Sequence, residues 1–363
     1  MKIALTVLVF AGIVLFSIYF QQIYNFFFGK NTTIDVTQDV MDEVEPENIE
    51  TLPTTGPTVE ADVQQGPGTV PTPVILENND IDEKISESKS KNFLGVGLNY
   101  VNPDYYEGWN GALGGCVADI TNMKNILIHE CKFDYVVTYL NEQATVKAVI
   151  SKLLQFAEQL VEGDLLVFHY SGHGGQFVDV KDTYETDGMS ETMVLYDGEV
   201  IDNWFWNILC KFKPGVRVLH LSDSCHSGTL YRVATNAEYD LLMGLKEKGQ
   251  KPKYKESKLF TYPPQQTMDW IPEDILIYNS ESNDRIKCHL KEIGGCQDNQ
   301  YSMDLGAAGG LFTTKLIATI EDKGFLPIKD VYKELVKKMP NYQTPSYNEF
   351  NVGSSFDTVP IFN

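Results

Sequence analysis

The sequence of 363 residues predicts an α/β layered fold, with a mainly parallel sheet flanked by helices, on three observations. The runs DLLVFHYSG at 164–172, VRVLHLSDS at 216–224 and DILIYNS at 274–280 are continuous in apolar residues and close on polar turns. A strand reads that way when helices cover both faces of its sheet, because neither side then meets water. Between these runs apolar residues recur at near-helical spacing: Val117, Ile120, Met123, Ile126 and Leu127, then Val146, Val149, Ile150, Leu153, Leu154 and Ala157. Strand and helix signals also alternate along the chain, which is the order that builds parallel sheets.

Taken in order, FLGVGLNY, starting at Phe93, is the first strand and opens the folded part. YVVTYL, lying between the two amphipathic stretches, is the second. Residues 309–321 and 327–339 carry two later helices. Residues 231–270 break the pattern, since KEKGQKPKYKESK is basic and poor in apolar residues. They are expected to form an exposed loop, and a solvated loop of that kind is a natural place for proteolytic nicking.

The amino-terminal quarter is organised differently. No charged residue occurs from Ile3 to Gly29, and Ile3 to Phe20 is an almost unbroken apolar run of 18. As a helix that run spans about 27 Å, close to one hydrocarbon thickness. Residues 1–30 therefore read as a transmembrane signal-anchor segment, with Tyr19, Tyr24 and Phe26 to Phe28 as an interfacial aromatic belt. A cleaved signal peptide is the alternative, against which stand the length of the run and the lack of a small-residue cleavage site before Gln21. Lys2 and Lys30 balance across the span and leave its orientation open. Residues 31–92 are rich in Thr, Pro, Glu, Asp and Gly without helical or strand period, and read as a disordered acidic linker.

Charge narrows the partners. The formal net charge is −21, of which residues 31–91 supply −11 through 14 Asp and Glu against 3 Lys. Such a balance disfavours polyanions, so nucleic acid is excluded as a partner. The six cysteines, Cys116, Cys131, Cys210, Cys225, Cys288 and Cys296, contain no CxxC pair. Neither a zinc site nor a dense disulfide framework is suggested, and only Cys288 and Cys296 stand close enough for a local bridge.

In an open α/β sheet, functional groups gather beyond the carboxyl ends of the strands. DLLVFHY runs into Ser171, Gly172, His173, Gly174 and Gly175, and VRVLHLSD runs into Ser224, Cys225, His226, Ser227 and Gly228. Each strand end thus presents a candidate base or nucleophile at a glycine-bearing turn. A peptide bond is a poor electrophile, and a covalent intermediate divides its hydrolysis into two easier steps. Cys225 would attack as thiolate, while His173, titrating near neutrality, would protonate the leaving amine and then activate water. The backbone N–H groups of Cys225 and Gly174 are the candidate oxyanion donors. A single cysteine is usually a small buried hydrophobe and a single histidine a satisfied core or surface residue, so the inference rests on the pair. His226 ranks below His173 as the base, because side chains of successive residues diverge in extended chain.

HYSGHGGQ at 169–176 and DSCHSG at 223–228 closely resemble the paired signatures of metacaspases, a branch of the caspase-like cysteine peptidases, family C14. The resemblance extends to GALGGCVADITNMKNIL at 111–127, AAGGLFTTKLIATI at 307–320 and QTPSYNEF at 343–350. It implies a caspase-like three-layer fold over 93–363, with a large portion at 93–230, an exposed junction at 231–270 and a small portion at 271–363. It further implies a cysteine-type endopeptidase that cleaves after Arg or Lys through an acidic pocket. The positions matching that pocket are Asp119 and Asp223, with Ser171 and Cys116 beside them. Carboxylates in a half-buried pocket favour guanidinium or ammonium and repel an acidic side chain. Taken alone, Asp119 also reads as an acid favourable to a helix dipole, and Asp223 as a turn former.

The partners so implied are protein or peptide substrates with basic residues, and the membrane through the amino-terminal helix. Arg232, Lys246, Lys248, Lys251, Lys253, Lys255 and Lys258 become candidate self-processing positions, with no choice among them. Many members of the family bind calcium, and the matching positions here are Ser190, Asp202, Asn203 and Arg232, of which one is a carboxylate. Calcium takes about six to eight oxygens, several of them anionic. No metal or cofactor is therefore expected, and activity is expected to be calcium-independent or weakly responsive unless Asp187 and Asp197 compensate. ILIYNSESNDRIKCHL at 275–290 departs from the family's usual strand end, which leaves the far wall of the pocket undefined. Two alternatives stand beside the peptidase: a catalytically silent caspase-like binding or scaffold module on a membrane, and a cysteine peptidase of the same fold with another specificity.

Overall fold

A computed structural model of the chain describes residues 89–178, 189–225, 251–253, 261–277, 285–297, 300–351 and 354–363. All belong to the unit Gly66–Asn363. The expected anchor at 1–30 and most of the linker at 31–92 lie outside the described residues. Among the described residues no helix is long and apolar enough to cross a membrane.

The strands and principal helices follow in chain order. They are β1 (Lys91–Gly97), α1 (Cys116–His129), β2 (Tyr135–Leu140), α2 (Val146–Gln159), β3 (Leu165–Ser171), β4 (Gly174–Val178), β5 (Met189–Leu195), β6 (Gly198–Ile201), α3 (Asp202–Leu209) and β7 (Arg217–Asp223). Then come β8 (Lys251–Pro252), the single turn α4 (Gln265–Met268), β9 (His289–Gly294), β10 (Met303–Asp304), α5 (Leu311–Lys323), α6 (Ile328–Lys338) and β11 (Ser346–Phe350). The central sheet has six strands in the order β11-β9-β7-β3-β1-β2. Its pairings are parallel except for β11, which runs antiparallel along β9 at one edge. With helices packed on both faces, this is a three-layer α/β arrangement.

Alternation along the strands builds the two outer layers. Leu94, Leu166, Phe168 and Val218 join a core with α2 and α3, while Phe93, Val167, Leu219 and Ile293 join one with α1, α5 and α6. Successive side chains of a strand point to opposite faces, so unbroken apolar runs are what a sheet covered on both sides requires. α1 sits very close to β1. A Cβ at Gly97 would lie 2.8 Å from the Cys116 carbonyl oxygen, so only glycine admits the first turn of α1 at this distance. That turn carries Asp119.

Three expectations are corrected. DILIYNS is not a strand over its described part: residues 274–277 form a turn, and the sheet's next strand is β9. Asn207 Nδ2 donates to the carbonyls of Ile275 and Ile277, at 3.0 and 2.9 Å, so these backbone groups are satisfied by a side chain and not by a strand ladder. β9 was hidden because HLKEIG contains two charged residues; Lys291 is nevertheless buried, held by the Phe356 carbonyl and Asp357. Cys288 and Cys296 form no bridge, both being buried thiols outside any disulfide. Finally, the junction 231–270 is not uniformly exposed, because Lys253 within it is completely buried.

Candidate active site

The parallel strands β3 and β7 are neighbours, with Ser171 opposite Asp223. The two glycine-bearing turns therefore leave the sheet side by side, and His173 and Cys225 follow within two residues of the paired positions. His173 is fixed through its backbone: its carbonyl accepts from the Tyr170 hydroxyl at 2.7 Å and from the Val194 N–H at 3.1 Å. Its Nε2 lies 3.0 Å from the Gly111 carbonyl oxygen. A carbonyl only accepts, so Nε2 carries the hydrogen and Nδ1 is the nitrogen able to take a proton. The Trp109 ring covers the imidazole at 4.8 Å between centroids. The other histidine of the motif, His169, is fully buried and held by burial down to about 3, which leaves it neutral. His226 lies outside the described residues.

Cys225 is buried, and its thiol is pushed well above its ordinary value, first by burial and then by a hydrogen bond with Cys296. The Ser302 N–H reaches Cys225 Sγ at 3.2 Å. Gly174 packs directly on the Cys225 backbone, where any Cβ would collide with the Cys225 carbonyl.

Asp119, Asp223, Ser171 and Cys116 come together at the same end of the sheet, around the side chain of Lys253. Lys253 Nζ donates to Asp119 Oδ2 at 3.1 Å and Ser171 Oγ at 2.9 Å, and lies 3.0 Å from Asp223 Oδ1. An ammonium has three N–H donors, and here each has an acceptor. Burial alone would lower Lys253, but Asp223, Cys116 and Asp119 outweigh it and keep the ammonium charged. Burial raises Asp119 to about 6, against the pull of Lys253. Asp223 stays below the ordinary carboxylate range despite burial, because Lys253, Ser302 and Thr313 all stabilise its anion. Cys116 is fully buried beside them, its thiol pushed up to about 12, mainly by burial.

The backbone of Lys253 is held as firmly as its side chain. Its carbonyl oxygen accepts from the N–H of Gly174 at 3.1 Å and of Cys225 at 3.4 Å, and its own N–H donates to the Ser302 carbonyl at 2.9 Å. β8 pairs antiparallel with β10, Pro252 opposite Met303 and Lys251 opposite Asp304. Strand addition of this kind holds a segment through its main chain.

Two of the most similar curated proteins are called Metacaspase-1. The one from Yarrowia lipolytica is 38% identical over 155 residues, covering 39% of this chain and 32% of its own. The one from Lodderomyces elongisporus is 28% identical over 265 residues, covering 64% and 58%. A crystal structure of a protein from Geobacter sulfurreducens superposes with a TM-score of 0.60 at 32% identity, covering 75% of this chain and 98% of that one. The family profile described as "Metacaspase, peptidase C14 domain" matches residues 91–234, which contain both strand-end motifs. Over residues 91–234 the chain is similar to the metacaspases. Its matches span from about a third to three-fifths of the length of these curated relatives.

Several residues of this site escaped the sequence reading. Ser302 serves it three times: its N–H meets Cys225 Sγ, its carbonyl holds the Lys253 N–H, and its hydroxyl donates to Asp223 Oδ1 at 2.6 Å. Thr313 gives Asp223 Oδ2 two hydrogen bonds, and the Gly310 N–H gives Asp119 Oδ1 one of 2.7 Å. Gln343, opening QTPSYNEF, clamps this wall by accepting from the Met303 N–H and donating to the Gly295 carbonyl and Ser302 Oγ. The repeated small residues of AAGGLFTT were the available signal, since carboxylates buried at a close helix approach need backbone and hydroxyl donors.

Of the calcium-matching positions, Ser190, Asp202 and Asn203 are described and Arg232 and Asp187 are not. Asp202 accepts from the N–H groups of Glu191 and Asn203, and Asp197 accepts the Val146 N–H at the start of α2 at 2.8 Å. These carboxylates are committed to the chain's own backbone, and the described residues bring together no group of three metal-ligating side chains. No step below depends on calcium.

Proposed function

We propose that this protein is a metacaspase, a cysteine-type endopeptidase hydrolysing the peptide bond after Lys or Arg with a Cys225–His173 dyad, and that its first substrate is its own chain at Lys253. The observation carrying this reading is the pose of Lys253: ammonium between Asp119, Asp223 and Ser171, carbonyl oxygen on the N–H groups of Gly174 and Cys225. A buried lysine would be costly without compensating charge, and Lys253 has that compensation at its ammonium together with donors at its carbonyl.

In this mechanism Cys225 Sγ gives its proton to His173 Nδ1 and attacks the Lys253 carbonyl carbon. The oxygen takes up negative charge in front of donors already in place, which is where they act most strongly. The C–N bond to Tyr254 then breaks, and the departing amine takes the proton from His173. Water, losing a proton to His173, attacks the thioester carbon and frees Cys225. Before cleavage the segment fills the substrate site, so the uncut chain is self-blocked. Commitment of Asp197 and Asp202 to backbone supports turnover without calcium. The uncharged run Ile3–Gly29 supports tethering to a membrane, which alkaline extraction of the full chain from membranes would check.

The test is incubation of the full chain and of Cys225→Ala, followed by amino-terminal sequencing of the products. A new terminus at Tyr254 in the parent protein, and none in the variant, is expected. Processed protein should hydrolyse a fluorogenic Lys-Pro-Lys peptide equally with calcium or a chelator, and leave an Asp peptide intact. Cleavage persisting in Cys225→Ala would refute the mechanism. Absence of turnover from folded protein under every condition would favour the silent scaffold.

A further inference from the structure

The nucleophile has a second neighbour that peptide hydrolysis does not use. β7 and β9 lie side by side with Ser222 opposite Gly294, so the chain segments leaving them carry Cys225 and Cys296 to one place. The crossing is pinned by the Gly295 N–H, which donates to the Ser222 carbonyl at 2.7 Å. Cys296 is completely buried, with Sγ 3.6 Å from the carbonyl of Ser224, the residue preceding the nucleophile, and 3.4 Å from that of Gln300. The two thiols hydrogen-bond to each other, and neither is in a disulfide.

A buried cysteine is ordinarily a small hydrophobe. Cys296 differs in that its sulfur meets the reactive sulfur and is surrounded by backbone carbonyls. A disulfide requires Cβ atoms within about 4.5 Å of each other, so it forms between side chains already in contact and not between distant ones. The bond would occupy the orbital that attacks the substrate.

We infer that Cys225 and Cys296 form an oxidative modification site, in which a peroxide oxidises the nucleophile and Cys296 resolves it into a reversible disulfide. Cys225, its proton passed to His173 Nδ1, attacks the peroxide O–O bond as thiolate, hydroxide leaves, and a sulfenic acid forms. Cys296 sulfur then displaces the hydroxyl group from Cys225 Sγ, its own proton leaving with that group as water. Two thiols lose two electrons, and hydrogen peroxide is reduced to two waters once the hydroxide is protonated. Without a resolving thiol the sulfenic acid proceeds to sulfinic and sulfonic acids, which thiol reductants do not reverse. The inference rests on Cys225 being the reactive sulfur, but its chemistry is read by mass and needs no peptidase assay.

The experiment treats the full-length protein with graded hydrogen peroxide, blocks free thiols by alkylation, and digests without reductant for mass spectrometry. The expected main product is a cross-linked peptide pair containing Cys225 and Cys296, released by dithiothreitol. Under the same dose Cys296→Ser should accumulate sulfinic and sulfonic Cys225, and recover at least tenfold less activity on reduction, each variant measured against its own unoxidised sample. Should Cys296→Ser fail to fold, the cross-link in the parent protein decides alone. Sulfinic Cys225 in the parent with Cys296 still alkylatable would overturn the inference, as would Cys225 left reduced at doses that oxidise Cys131. A cross-link in protein that hydrolyses nothing would refute the proposed peptidase while leaving the thiol pair standing.

Discussion

Replacing Asp223 by Asn tests the reading of the pocket most directly. In the blocked state Lys253 Nζ lies 3.0 Å from Asp223 Oδ1 and 3.1 Å from Asp119 Oδ2, all three groups out of water. Breaking one partner of a buried ion pair costs about 3–5 kcal/mol, because the other charge is left uncompensated. Asp119 still faces the ammonium, which places the loss near the lower end, about 3 kcal/mol or roughly 100-fold in kcat/KM. The change also alters the contact with Thr313, whose N–H and hydroxyl both donate to Asp223 Oδ2. A substrate comparison separates the two effects. Peptides with Lys or its uncharged isostere norleucine before the cleaved bond would be assayed with parent and Asp223→Asn enzyme, alongside thermal unfolding of each. The lysine peptide should lose about 100-fold and the norleucine peptide less than about threefold, a coupling belonging to the charge pair. Equal losses on both peptides would refute the argument, since the carboxylate would then be holding the wall and not reading the substrate.

Other outcomes follow from the same contacts. Burial keeps Asp119 at about 6, so the carboxylate that attracts a basic side chain is present above that pH and lost below it. kcat for lysine peptides, which reports the pocket holding an ammonium as it holds Lys253, should fall as pH drops through about 6, and Asp119→Asn should lack that limb while starting from a lower plateau. Gly310→Ala should cut kcat/KM for lysine peptides at least tenfold with little change in secondary structure by circular dichroism. Gly310 has an ordinary φ of −76°, yet a Cβ there would press on Asp223 Oδ2 and Lys253 Nζ. Gln343→Ala leaves the Met303 N–H and the Gly295 carbonyl without their partner. It should lower unfolding free energy in urea by about 1–3 kcal/mol, and raise KM by loosening the wall that carries Ser302.

The sequence determined what is local. Strands β2, β3 and β7 and helices α1 and α2 follow from unbroken apolar runs and helical spacing, because burial on two faces leaves a one-dimensional trace. The His173 and Cys225 turns were legible for the same reason, each being a strand end followed at once by glycine, and their adjacency followed from neighbouring strands ending together. β9 was not legible: Lys291 and Glu292 obscure its period, and only Phe356 and Asp357, more than sixty residues later, make burial of Lys291 tolerable. Among the lysines of the junction, composition offers no distinction. Selection of Lys253 requires three acceptors for its ammonium and two donors for its carbonyl, and these come from α1, β3, β4, β7 and the turn after it. Ser302, Gly310, Thr313 and Cys296 became part of the site for the same reason. Hydrogen bonds and ion pairs are decided by distances of about 3 Å, and for residues 70 to 190 positions apart such distances are fixed only when the sheet brings its strand ends together.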